Sequence, residues 1–454
     1  MFKPNILLLT IDTLRTDRLG CYGCPRPLTP NLDRLAESGV RFTQAITGGS
    51  WTQAAFPVLL TSSYASMYGG CLGALAPERP SPIEALAAHG YTTGGFSTSP
   101  LLSRNYGYHR GFHHFADLLP GERDPFLRRL KGGQRLLRQP LTHHVARLLG
   151  LQTRPARLYV SAAELTDALC AWLDGVTAPF FAWAHYMDVH WPYHREETLT
   201  RPADIAQAWR DVSHLHAANW NGVPITPAQR DHYIRLYEEA VQYTDAQIGR
   251  LLDYLQQSGQ AENTVIIVVA DHGEEFLEHG RWGHWENNLY DEILNVPLLI
   301  HLPRHKGAQT VTRLVRTLDI MPTVLHLAGC PAPAGVEGVS LHPLWQNNER
   351  AYPVTETLSE MWRDGWHIIA LRTETFKFIW DSRHPDQPLL FNLRADPGER
   401  HNISPQHPER VQHFRALVEA HRRRAAETRP ARTITGPELD DQVVSRLRDL
   451  GYLE

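Results

Sequence analysis

Cysteine is scarce in this chain of 454 residues: there are five, Cys21, Cys24, Cys71, Cys170 and Cys330. So few, and an odd number, argue against a disulfide framework. Cys21 and Cys24 form a single CxxC in a Gly/Pro-rich loop, and no second cysteine pair completes a zinc ligand set. Long apolar runs are missing too; none reaches the ~18 residues of a membrane span. Charge of one sign is not in excess either, since Lys and Arg number 45, Asp and Glu 49, and the net charge is -4. That balance gives no general attraction to nucleic acid. The start, Met1-Phe2-Lys3-Pro4, leads into a strand too short for a signal-peptide core, with no small-residue cleavage site after it. A cytoplasmic protein is the expectation. What the chain does have is histidine, 25 of them, and the informative ones stand at strand ends and in short motifs.

Several segments read as buried strands. Ile6-Leu-Leu-Leu-Thr10 is apolar throughout, as a parallel strand covered on both faces must be, and it ends at Ile11-Asp12. Thr264–Ala270 is similar and ends at Asp271-His272-Gly273. Pro179–His185 is a third, leading into Tyr186-Met-Asp188-Val-His190, and Val296–His301 a fourth. Helical periodicity appears at Pro30–Ser38 and Ser81–His89, and most strongly at Tyr233–Gln257, where Tyr237, Val241, Ile248, Leu252 and Leu255 share a face. This alternation predicts an α/β fold, a doubly wound, mostly parallel sheet flanked by helices, over residues 1–345. Short strand-like runs at His367–Leu371 and Phe376–Trp380, then an Arg-rich helix from about Pro408, predict a small C-terminal antiparallel subdomain over 346–454. Residues 118–160 carry nine basic side chains against Glu122 and Asp124. They read as an amphipathic helical insertion: a solvated face, a lid over an anionic substrate or a peripheral membrane contact.

A carboxylate at the end of a core strand is costly unless something pairs with it. Asp12 and Asp271 both stand there, and His272 adjoins the second. Two carboxylates and an imidazole at neighbouring strand ends make a divalent-cation site, and Asp/His ligation suits zinc or manganese better than calcium or magnesium. The alternative for either Asp alone is a helix N-cap. Thr52 lies where the glycine-rich Gly48-Gly-Ser-Trp51 gives way to an apolar, helix-like run. At a helix N-terminus its hydroxyl would meet a dipole that favours an alkoxide and an incoming anion; Thr52 or Ser50 as a plain cap is the other reading.

These segments, in this order, resemble the alkaline phosphatase/sulfatase superfamily. Asn5-Ile-Leu-Leu-Leu-Thr-Ile-Asp-Thr-Leu-Arg-Thr-Asp17 is similar to its opening strand and Asp-Asp-x-Arg-x-Asp element. Thr29-Pro-Asn-Leu-Asp-Arg-Leu-Ala36 with Gly39-Val-Arg-Phe42 is similar to the segment that follows. Asp271-His-Gly-Glu-Glu275 with His279-Gly280 and Trp282-Gly-His284 resembles the second metal element. Asp319–Leu325, Leu390–Glu399 and the final Leu447–Tyr452 resemble later landmarks. The resemblance implies an ester hydrolase with metal ligands Asp12, Thr52, Asp271 and His272, Thr52 being also the nucleophile. It implies roles near the anionic group or the leaving oxygen for His190 and His284, and places Arg15 close to the nucleophile. If Asp188 joins His190 and His284, a second metal site forms as in related nucleotide phosphodiesterases, though the spacing here departs from the Asp-x-x-x-His of those enzymes.

Two departures from the family pattern matter. Formylglycine sulfatases carry Cys or Ser in a C/S-x-P-x-R motif, whereas the stretch here is Thr52-Gln-Ala-Ala-Phe56, and threonine cannot become the aldehyde. Ile11 replaces the first Asp of the opening pair, removing a ligand of the calcium site. Both changes point to phosphoryl-type esters (phosphodiester, phosphomonoester or phosphonate ester) attacked by an alcohol nucleophile. A true sulfuric ester hydrolase of the arylsulfatase kind and a phosphoethanolamine-type transferase are the alternatives. The expected partner is a small anionic ester. Homo-oligomerisation stays open.

Overall fold

The computed structural model describes residues 3–70, 73–119, 159–195, 198–284, 288–303, 305, 307–363 and 365–428. Its centre is an eight-stranded sheet made of β1 (Asn5–Ile11), β2 (Gly39–Ile46), β3 (Thr92–Ser97), β4 (His114–Asp117), β5 (Phe180–Tyr186), β6 (Thr264–Ala270), β9 (Asn295–His301) and β10 (Gln309–Arg316). The order across the sheet is β10-β2-β9-β6-β1-β5-β3-β4. Between β6 and β9 in sequence lies a short hairpin, β7 (Glu275–Phe276) with β8 (Trp282–Gly283). The all-apolar sequences of β1, β5 and β6 are explained by their place: every residue in them is buried, with β1 between the other two. Ile11 lies level with Tyr186 on one side and Ala270 on the other, so Asp12 and Asp271 leave the sheet at the same height. Only β9 runs against its neighbours β6 and β2. The carboxyl ends of the parallel strands therefore open on one rim, where open α/β sheets place their sites.

Helices α1 (Pro30–Glu37), α2 (Thr52–Thr61), α3 (Pro82–Ala88), α4 (Ala162–Gly175), α5 (Pro202–Asn221), α6 (Pro227–Gln257) and α7 (Ile320–Ala328) surround the sheet. Helix α6 starts with Pro227 after a capping box between Thr226 and Gln229; of the face its periodicity predicts it buries Tyr237, Val241, Ile248 and Leu255, while Leu252 is half-buried. Helix α2 is apolar all round, and all ten of its residues are buried, as a helix enclosed by its own domain should be.

Strand β3, Thr-Thr-Gly-Gly-Phe-Ser, has little strand propensity. Its glycines admit aromatic rings: a Cβ on Gly94 would lie 2.7 Å from the Trp172 ring, and one on Gly95 the same distance from Phe115. Gly94→Ala is expected to destabilise the protein by ~1–3 kcal/mol through overpacking, read as a lower denaturation midpoint at unchanged m-value. A midpoint equal to wild type would show that Trp172 moves freely.

A second sheet is formed by β11 (Glu356–Arg363), β12 (Trp366–Thr373), β13 (Phe376–Asp381) and β14 (Leu389–Asn392), all antiparallel. Helix α8 (Pro408–Glu427) covers it, packing Phe414 and Val418 on Leu371, Phe378 and Trp380. Buried Lys377 ties this sheet to the turn before β9, reaching Asp291 at 2.8 Å and Glu399 at 2.9 Å. The basic insertion expected at 118–160 lies outside the described residues over 120–158, and so does the Leu447–Tyr452 motif. Among the described residues no helix is long and apolar enough to cross a membrane.

Candidate metal-binding active site

The rim above β5, β1 and β6 gathers ionisable groups with no solvent. Asp12, His185, His190, Asp271, His272 and Glu274 are all fully buried. Asp12 is held where the β1–β5 ladder continues, its backbone N–H donating to Tyr186 O at 2.9 Å. The chain then turns sharply, with Thr13 at φ 56°, a strained value for a β-branched residue. Tyr237 of α6 secures that turn: its hydroxyl donates to Thr13 O at 2.8 Å and accepts from Arg15 N at 2.9 Å. On the neighbouring strand Asp271 Oδ1 accepts from the backbone N–H of His272 at 2.9 Å and of Thr13 at 3.3 Å. Its other oxygen is left facing inward.

Two imidazoles flank the carboxylates. His272 Nδ1 lies 3.0 Å from Gly273 O, which leaves Nε2 pointing at Asp271 Oδ2 (3.5 Å) and Asp12 Oδ1 (3.8 Å). On the opposite side His185, fixed by Thr10 Oγ1 at 3.0 Å from its Nδ1, brings Nε2 to 3.5 Å from Asp12 Oδ2. Both Asp12 oxygens, Asp271 Oδ2 and the Nε2 atoms of His185 and His272 are buried without a hydrogen-bond partner among the described residues. Neighbouring buried carboxylate oxygens and imidazole nitrogens left unsatisfied by the described residues fit a divalent cation. One donor set, Asp12, His185 and Asp271, lies within 4.8 Å of itself. His185 was not among the ligands expected from the sequence.

Thr52 is the first residue of α2. The cap is Trp51, and it makes no side-chain cap bond, so Thr52 is not the helix cap that its position alone suggested. Its hydroxyl is fully buried and has no hydrogen-bond partner among the described residues. Thr47, in the loop before it, donates to Asp271 O at 2.5 Å. One turn along α2, Phe56 packs edge-on against His185 with ring centroids 4.9 Å apart. The loop and the first turn of α2 are thus joined to two of the rim's buried residues, Asp271 and His185.

A second histidine group adjoins the first. His284 lies 4.5 Å from the His272 ring and 5.0 Å from the His190 ring, centroid to centroid. His284 Nδ1 is 3.3 Å from Glu274 Oε1. Of the second metal site expected from Asp188, His190 and His284, the two histidines are neighbours and Asp188 is buried. The carboxylate standing against His284 is Glu274, a residue the sequence reading did not single out. Its neighbour Glu275 does something else, accepting from the backbone N–H of His279 and Arg281, both at 2.8 Å, to hold the β7–β8 hairpin.

Arg15 has its guanidinium engaged by Asp17 at 2.9 Å, Glu278 at 2.9 Å and Glu274 O at 2.6 Å, with Phe276 beneath it. That places it as a brace between the Thr13 turn and the 274–278 segment.

The electrostatics are those of a site built for positive charge. Burial opposes ionisation of Asp12, yet His185, His190 and His272 hold its carboxyl below the ordinary range. Burial and the charge of Asp12 push Asp271 up, and burial pushes Glu274 up to about 8. Burial likewise lowers His190 and His272, and takes His284 down to about 4.

A mostly parallel α/β sheet with buried carboxylates and imidazoles on its carboxyl rim, beside a helix-borne hydroxyl, defines a hydrolase of the alkaline phosphatase-like class. The Sulfatase family matches residues 4–330, and the chain belongs to that family. The family described as N-sulphoglucosamine sulphohydrolase, C-terminal, matches residues 278–424. Human arylsulfatase A is 28% identical over 440 residues, covering 88% of this chain and 83% of its own. An arylsulfatase of Clostridium perfringens is 25% identical, covering 92% and 94%. Among solved structures, the phosphonate monoester hydrolase of Agrobacterium radiobacter superposes with a TM-score of 0.70 at 20% identity, over 93% of this chain and 96% of that one.

Proposed function

We propose that this sulfatase-family hydrolase uses Thr52 as its nucleophile and prefers phosphoryl-type esters to sulfate esters. The observation that carries this is the Thr52 hydroxyl, buried and unpaired at the head of α2 in a loop bonded to Asp271. Asp12, Asp271, His272 and Thr52 would hold a divalent cation, with His185 facing Asp12 from the other side. Their mixed oxygen and nitrogen donors favour zinc or manganese. Such an ion supplies a lowered hydroxyl pKa and polarisation of the ester.

The chain's own residues account for the rest. The N-terminus of α2 favours negative charge at Thr52 Oγ1 and on the incoming anion. His190 or His284, kept neutral by burial, takes the proton of Oγ1 as Oγ1 bonds to phosphorus and passes it to the leaving oxygen as that bond breaks. Water then gives a proton to the same imidazole group and its oxygen to phosphorus, and the imidazole returns the proton to Oγ1 as the bond to Thr52 breaks. A formylglycine hydrate expels sulfate through its second hydroxyl; threonine has none, so its ester must be opened at the transferred group, a route common in phosphoryl transfer. The likeness to a phosphonate monoester hydrolase supports this choice, and that to arylsulfatase A favours sulfate esters as the second reading.

The test is a panel of 4-nitrophenyl phosphate, phosphodiester, phosphonate and sulfate esters, run with and without an acceptor alcohol. Mass spectrometry of enzyme quenched during turnover accompanies it. The highest kcat/KM is expected on a phosphoryl-type ester, with the transferred group on the peptide containing Thr52. Preference for sulfate would establish the second reading, and product found on the acceptor would make the enzyme a transferase.

A further inference from the structure

The small C-terminal sheet reaches into the loop that carries Thr52. Ser359 of β11 donates from Oγ to Thr47 O at 2.5 Å, and the next residue, Glu360, donates its backbone N–H to Gly48 O at 2.9 Å. The fit is close. A Cβ on Gly49 would lie 3.0 Å from Glu360 O and 2.3 Å from the Ala54 side chain, so the loop passes between β11 and α2 with only backbone thickness to spare. The Glu360 side chain, fully buried, turns the other way. Its Oε1 accepts from Ser66 N at 2.6 Å, just beyond the far end of α2. Its Oε2 meets His421 Nε2 of α8 at 2.9 Å and His367 Nε2 of β12 at 3.2 Å. One residue therefore touches the chain before α2 and after it, and is itself fixed from two elements of the small subdomain. Nothing in the reaction proposed above uses this buried carboxylate.

We propose that Glu360 is a positioning residue for the hydrolytic reaction: anchored by His367 and His421, it holds the chain on both sides of α2, at Gly48 and Ser66, and so fixes the Thr52 hydroxyl relative to Asp271. This rests on the reading of Thr52 as nucleophile. The physical basis is the steep dependence of rate on nucleophile placement, where a displacement of ~1 Å can cost ~100-fold. Asp12, Asp271 and His272, which would hold the cation with Thr52, stand outside α2, so metal content and substrate affinity should fall far less than turnover when α2 is loosened.

The experiment uses the full-length enzyme and the 4-nitrophenyl ester it turns over fastest. Glu360→Gln keeps the shape but removes the charge shared by two imidazoles. Ser359→Ala removes one bond to the loop and leaves the buried cluster intact, so it stands in if Glu360→Gln does not fold. The expected result is a kcat ~10- to 100-fold lower for Glu360→Gln and several-fold lower for Ser359→Ala. KM should stay within about twofold, with the same metal content per chain. Val418→Ala, in the α8–sheet core away from the loop, is the control for stability alone, and should lower Tm with kcat retained. The proposal is overturned if kcat is unchanged in both β11 variants, if Val418→Ala loses as much kcat, or if the loss appears in KM or metal content. Thr52→Ala assayed in parallel keeps the two readings apart. Turnover in that variant would remove the nucleophile, whereas an inactive Thr52→Ala beside fully active β11 variants would remove only the positioning role.

Discussion

Thr52→Ala is expected to abolish turnover, with kcat at least ~1000-fold lower on every ester the wild type hydrolyses. Alanine keeps the helix and the apolar packing of α2, whose ten residues are all buried, so the folded state should survive the change. What disappears is the one oxygen at the head of that helix able to form a covalent ester. Because the hydroxyl has no hydrogen-bond partner among the described residues, its removal breaks no internal bond, and Tm should change little. Full turnover by Thr52→Ala would mean that water attacks the ester directly and that the unpaired hydroxyl has another purpose. Thr52→Ser is the informative companion. It keeps the oxygen and should retain a substantial share of the rate, the missing methyl group loosening the rotamer.

Metal removal should have the second-largest effect, and its pH dependence can be worked out from the site. Chelation is expected to eliminate activity and lower Tm by ~5 °C or more, because a ligand held only by the folded state stabilises it by mass action. The metal-free protein should then respond to pH through two opposed sets of groups. Glu274, ordinarily 4.5, is raised to about 8 by burial, and Asp271 is raised as well. The folded state keeps their protons where the unfolded chain has lost them, so stability falls as pH rises from about 4.5 towards 8. His284, ordinarily 6.5, is lowered to about 4, with His190 and His272 shifted the same way. The unfolded chain takes up those protons first, so stability falls as pH drops below 6.5. Between pH 6.5 and 8 only the carboxylates act, and the Tm of the chelated enzyme should decline across that window. With the ion in place Asp271 stays ionised and its share of the decline vanishes. A flat Tm from pH 6.5 to 8 after chelation would show that Glu274 and Asp271 are not held protonated.

The parts of this site that were legible in the sequence are those where local pattern and chemistry coincide. Strands β1 and β6 announce themselves as uninterrupted apolar runs, and a carboxylate directly after each is conspicuous. The head of α2 is visible in the change from glycines to an apolar run. His185 escaped because it lies inside a strand, where a ligand has no spacing to betray it. Its role depends on the register that sets it opposite Thr10, a pairing across 175 positions. Glu274 and Glu275 are adjacent acids of the same kind, and only the fold assigns one to the imidazoles and the other to a hairpin. Strand β3 hid behind Gly94 and Gly95, whose value lies in the rings of Trp172 and Phe115 that press on them. Arg15 matched its motif in sequence, and its guanidinium meets Asp17, Glu278 and a backbone carbonyl that no local pattern announces.

The bond from Ser359 to Thr47 spans 312 positions, and this bears on how the enzyme comes into being. During synthesis, at ~5–20 residues per second, the residues of β1, β2 and α2 leave the ribosome long before the strand that seats their loop. Once β10 has emerged the large sheet has all its strands, yet Thr47 and Gly48 still lack their partners on β11. The nascent chain therefore passes through a stage in which the rim exists and the loop before α2 is unset. The seat of that loop forms late, after the scaffold, and only in chains translated well past residue 360.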